Sequence, residues 1–132
     1  APSTWYYAQK EHLLEKAYKE IQEVIKKNKI NPAKLIVSGC SAGGYMTTRM
    51  LIKYPSLFKA AMINCPALDV ASQRGGETPT DKELESLRKS PTAIWLVQGE
   101  TDSSVATKDC SQRIFEILTK LQKLIRNIIL IL

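Results

Sequence analysis

The chain has 132 residues, 44% of them hydrophobic and 24% charged, with turn residues at ordinary levels, which fits a globular domain or part of one and excludes a disordered segment. Its formal net charge of +6 comes mostly from lysines spread between glutamates, with few aromatics and no arginine cluster. That pattern describes a solvated surface and speaks against a nucleic-acid partner.

Residues 5–28 read as an amphipathic helix. Leu13, Leu14, Ala17, Tyr18, Ile21, Val24 and Ile25 recur at three- and four-residue steps, and lysines and glutamates fill the positions between. Ser3 or Thr4 is the expected cap. The only histidine, His12, falls here among charged residues, where a partly exposed helical side chain is the plain expectation. Asn28 to Pro32 forms the turn that stops the helix.

Leu35-Ile36-Val37-Ser38 reads as a short buried strand. It runs straight into Gly39-Cys40-Ser41-Ala42-Gly43-Gly44, after which Tyr45 to Lys53 continue with helical spacing. Gly-x-Ser-x-Gly alone is a weak signal; a strand before it and a helix behind it are the context that makes it a nucleophile elbow. The chemistry needs its serine on a tight, strained strand-to-helix turn, with the hydroxyl raised above the end of the sheet. Gly39 and Gly43 stand where side chains would crowd such a turn. The Ala42 N–H, at the positive end of the following helix, is a candidate donor to a developing oxyanion. The competing reading is a glycine-rich β-to-α turn with a buried serine, of the phosphate-binding kind. Against it, the chain has neither a Gly-Lys-Ser/Thr ending nor a Gly-x-Gly-x-x-Gly run.

Pro55 ends the helix near Tyr54. Phe58 to Cys65 reads as a second strand, ended by Pro66, and residues 67–79 as a mobile loop at the sheet edge where ligands bind in open α/β sheets. Thr80-Asp81-Lys82-Glu83 is a capping box opening a helix to about Lys89. Thr92 to Gln98 makes a third strand, followed at once by Gly99-Glu100-Thr101-Asp102. A carboxylate just past a strand downstream of the serine is where a Ser, Asp, His chain order places its acid. Asp102 is the candidate, with the task of fixing an imidazole tautomer, and Glu100 is the weaker one. The bland role for Asp102 is that of a turn or cap residue.

Residues 107–121 are helical, and the apolar, β-branched end from Leu124 to Leu132 reads as a fourth strand. That run is far short of the roughly 20 residues a membrane span needs. Cys40, Cys65 and Cys110 follow no metal spacing, which suggests reduced, mostly buried thiols and leaves the compartment open, with the cytoplasm slightly favoured. The start at Ala1 rather than Met, with no signal peptide legible, hints at a processed chain or an excised piece.

Taken together, Gly-Cys-Ser-Ala-Gly-Gly, Pro-Ser-Leu-Phe-Lys-Ala-Ala and Trp-Leu-Val-Gln-Gly-Glu-Thr-Asp-Ser-Ser-Val resemble the C-terminal half of an α/β-hydrolase catalytic domain. The similarity is greatest to the esterase and prolyl-oligopeptidase-like branch. It implies a three-layer α/β fold, present here as a partial sheet of about four parallel strands with flanking helices. It also implies Ser41 as nucleophile, Asp102 as triad acid, Ala42 N–H as one half of the oxyanion hole, no metal or cofactor, and an ester or peptide substrate. The family's histidine follows the strand after the acid, and its second oxyanion donor follows an early strand. No residue here matches either.

The expectation is therefore a single partial domain over residues 1–132, a fragment inactive by itself. Its first strand would expose an apolar edge that pairs with a second copy or with a missing N-terminal fragment. His12 replaces the base only if its helix carries it over Ser41 or a second copy supplies it. A non-catalytic binding or assembly domain and an acyltransferase using the same elbow are the alternatives, and the substrate itself is not legible.

Overall fold

The computed structural model describes residues 12–120 and 128–131. Along them run α1 (Leu13–Asn28), β1 (Ile36–Cys40), α2 (Ala42–Lys53), β2 (Ala60–Asn64), α3 (Asp81–Ser86), β3 (Ala93–Val97), α4 (Ser111–Thr119) and β4 (Ile128–Ile131). The helices and strands expected from the sequence are present with shifted ends: β1 runs on through Gly39 and Cys40, α2 already begins at Ala42, and the later elements are shorter than expected. Residues 5–11 of the first helix, the proposed caps Ser3 and Thr4, and residues 124–127 and 132 of the last strand lie outside the described residues. Helix α1 closes on Lys29, left-handed at φ 52, whose N–H donates to the Ile25 carbonyl. The capping box of α3 is complete: Thr80 accepts the Glu83 N–H, and the Glu83 carboxylate accepts the Thr80 N–H.

The strands form one parallel sheet in the order β1-β2-β3-β4, in the register Cys40 beside Asn64 beside Val97 beside Ile131. This order never reverses. Right-handed crossovers that all step in one direction stack their helices on the same face. Burial follows from that: Ala61, Ile63, Ile94 and Leu96 are buried against the helices, while Ile36, Met62 and Trp95 point the other way. Ile36 is 70% exposed and Trp95 and Ile131 are each 43% exposed, so the second face is apolar and open among the described residues. Of three expected layers, these residues furnish the sheet and one layer of helices.

The core lies between the two layers, where Tyr45, Leu51, Ile63, Leu68, Leu84, Leu96 and Ile114 are fully buried. A charge is buried with them. Arg49 on α2 is 2% exposed; it donates to a Glu83 oxygen at 3.0 Å and to the Glu77 carbonyl at 2.5 Å. Tyr45 donates its hydroxyl to the same carbonyl at 2.9 Å. The segment after β2, expected from its glycines to be a mobile loop, is thus pinned to α2 by a buried guanidinium. Composition alone could not reveal that, because the partner lies far back in the chain.

Candidate active site

Ser41 sits between the last residue of β1 and the first of α2 with φ 55 and ψ −115, a backbone that L residues rarely adopt. Three hydrogen bonds impose it. The Ser41 N–H donates to the Asn64 carbonyl at 3.1 Å, and the Ser41 carbonyl accepts the N–H groups of Tyr45 at 3.0 Å and Ala67 at 3.1 Å. Serine at an N-cap ordinarily turns its hydroxyl back onto the helix. Ser41 makes no such bond and is exposed, so its oxygen stands free above the sheet. The Ala42 N–H, first in α2, meets no acceptor among the described residues.

Two glycines make this turn possible. A Cβ at Gly39 would lie 2.2 Å from the Gly43 carbonyl oxygen and 2.6 Å from Thr47 Oγ1, which is how closely α2 folds back on β1. Gly43 therefore matters as the backbone that Gly39 approaches. Gly44, absent from the expected set, is the second tight position, because a Cβ there would come within 2.8 Å of the Asn64 carbonyl and of Pro66 Cα.

Asp102 follows β3 at the same edge of the sheet. One carboxylate oxygen accepts the N–H groups of Ser104 at 2.9 Å and Val105 at 3.0 Å, the turn-forming role, and the other has no partner among the described residues. Its loop is held by Gln98, a buried side chain that donates to the Val105 carbonyl at 2.7 Å and accepts from the Ser111 hydroxyl. Asp69 adds a second tie, accepting the Ala106 N–H at 3.0 Å. Neither Gln98 nor Asp69 was singled out from the sequence, since their partners become neighbours only on folding. Glu100 is exposed.

Ser41 and Asp102 thus share the C-terminal edge of the sheet. With β2 between them, the strands that lead to Ser41 and Asp102 run on the order of 10 Å apart. His12 does not fill that gap. It caps α1 with φ 53, its side chain 78% exposed and 3.9 Å from Glu15, which in turn pairs with Lys53 at the far end of α2. The twelve residues of α2 put about 18 Å between that end and Ser41. Its helix therefore does not bring His12 over the serine.

The cysteines also differ from expectation. Only Cys110 is buried, its thiol facing Asp69 and pushed up to about 12 by burial. Cys40 is exposed because Gly39, its neighbour, takes the face turned to α2, and the alternation of a strand sends Cys40 outward. Cys65 has φ 32 and its sulfur lies 3.2 Å from that of Cys40. Burial and the hydrogen bond with Cys40 push the Cys65 thiol up. A cleft of about 410 Å³ between α1, α2 and β1, lined by Leu13, Ala17, Ile21, Met46 and Met50, touches neither Ser41 nor Asp102.

The family model described as the prolyl oligopeptidase family matches residues 3–86. Among solved structures, a thermostable esterase superposes with a TM-score of 0.71 at 21% identity, over 91% of this chain and 28% of the esterase. A puromycin-hydrolyzing peptidase of Mycobacterium tuberculosis superposes with a TM-score of 0.64 at 20% identity, over 89% of this chain and 21% of the peptidase. No curated protein matches. The likeness to both solved structures is one of fold, and the chain spans less than a third of the length of either. With well over half of the chain matched by the family model, this serine hydrolase-like chain belongs to the prolyl oligopeptidase family.

Proposed function

We propose that the chain carries the nucleophile and the acid of a serine hydrolase that cleaves carboxylic ester or peptide bonds through an acyl-enzyme. The observation that carries this reading is the strained, uncapped and exposed Ser41 between β1 and α2. On this nucleophile elbow Ser41 Oγ attacks the carbonyl carbon, and negative charge develops on the carbonyl oxygen near the Ala42 N–H and the positive end of α2. A histidine from outside these 132 residues takes the serine proton and returns it to the leaving group. Asp102, through its unpartnered oxygen, accepts the second imidazole N–H and stabilises the imidazolium.

Without that base the chain alone is nearly inert. Loss of the triad base costs about a millionfold in turnover, or ~8 kcal/mol of transition-state stabilisation. The edge position of β1 makes a partner a separate part of the proposal: a second copy, or an N-terminal segment of the same protein, pairing with β1. The position of His12 supports a second reading, a non-catalytic binding or assembly domain that keeps the fold without the chemistry. An acyltransferase would use the same elbow and differ only in the acceptor.

Fluorophosphonate labelling decides between activity and its absence. A version extended at both ends is expected to label strongly, this chain weakly, and the Ser41→Ala form of either not at all. Labelling that survives Ser41→Ala removes the assignment, and an extended form that never labels favours the assembly domain.

A further inference from the structure

The alternation of a regular strand would send Cys65 to the face opposite Cys40, because Cys40 pairs with Asn64 and Cys65 is the next residue. The chain does otherwise. Cys65 keeps its N–H on the Val97 carbonyl at 2.7 Å but takes φ 32, a costly backbone for a residue with a Cβ. Its sulfur thereby comes to rest 3.2 Å from that of Cys40. Cys40 is exposed and Cys65 half-buried, whereas Cys110 is sealed in the core.

We propose that Cys40 and Cys65 are a redox modification site, a dithiol that closes to a disulfide across the ends of β1 and β2, beside Ser41, by exchange with small-molecule disulfides. Closing it takes the sulfurs from 3.2 Å to about 2.05 Å, an approach of about 1 Å. The Cys40 thiolate, the exposed member, attacks one sulfur of the small disulfide, whose S–S bond breaks and whose other half leaves as a thiolate. Cys65 then gives its proton to water and attacks the Cys40 sulfur of the mixed disulfide, expelling the second half. Two protein thiols are oxidised and one small disulfide is reduced to two thiols, so electrons and atoms balance. Cys65, half-buried behind the exposed Cys40, is the less accessible thiol and therefore takes the second, resolving step.

The test is incubation of the folded chain with glutathione disulfide, followed by thiol titration and peptide mapping without reduction. Free thiols are expected to fall from three to one, with Cys40 and Cys65 in one linked pair and Cys110 free. The Cys65→Ser form is expected to stop at a glutathione adduct on Cys40. Stable glutathione adducts on the unsubstituted chain, a link that includes Cys110, or three thiols still free after exchange would each overturn the proposal. The readout concerns sulfur alone, so it stands or falls separately from the role of Ser41.

Discussion

Gly39 and Gly43 touch backbone to backbone: a side chain at Gly39 would begin 2.2 Å from the Gly43 carbonyl oxygen. That contact presses α2 against β1 and sets the angle of the turn that carries Ser41. Because the obstacle is backbone, it cannot swing aside. Gly39→Ala is expected to destabilise the fold by about 3 kcal/mol, the upper range of overpacking costs. Urea denaturation checks this, and an unchanged midpoint would mean that strand and helix are less tightly joined.

Ser41 pays for its position in backbone strain, which glycine would not feel. Ser41→Gly is expected to raise stability by about 1 kcal/mol while abolishing fluorophosphonate labelling, whereas Ser41→Ala abolishes labelling with no gain in stability. Denaturation curves for the three forms, run side by side, separate strain from chemistry.

The pair Arg49 and Glu83 makes stability depend on pH. Burial works to raise the Glu83 carboxyl, but the Thr80 N–H and the charge and hydrogen bond of Arg49 outweigh it and hold the group below its ordinary 4.5. A carboxyl depressed in the folded state contributes stability that is fully present above the unfolded value and is lost as pH falls through the folded one. The denaturation midpoint is therefore expected to drop on acidification from about pH 4.5 downward, and the Glu83→Gln form to show a flatter profile there. At neutral pH that substitution should cost about 2 kcal/mol, since it weakens a hydrogen bond to a buried cation. An identical acid limb in both forms would exclude Glu83 as its source.

Ile36, Trp95 and Ile131 crowd the sheet face that no described helix covers. Parallel sheets are normally covered on both faces. The chain is expected to self-associate in the micromolar range, and Trp95→Lys to weaken that association by at least tenfold without lowering the folded fraction. Sedimentation velocity across a dilution series reads both, and a monomer at every concentration would count against pairing through this face.

How much of this was legible beforehand differs from element to element. The Thr80 to Glu83 capping box, the stop before Pro55 and the strand that runs into Gly39 are local matters: each depends on residues within a few positions, and each appears as expected. Gly44 escaped notice because its obstacle is Pro66, across the sheet edge. Arg49 was not singled out, since nothing near it in the chain announces Glu77 and Glu83 as partners.

The sequence by itself determined the alternation of strands and helices, the glycine-bounded serine and the acidic residue beyond the third strand, because periodicity, turn chemistry and motif spacing are short-range properties of the chain. Only the tertiary structure decided that one face of the sheet is left open by the described residues, that His12 stands at the wrong end of α2, and that two cysteines far apart in sequence meet beside Ser41. Those outcomes follow from the direction of the crossovers and from a single left-handed residue after β2, and they exist only once the strands have paired.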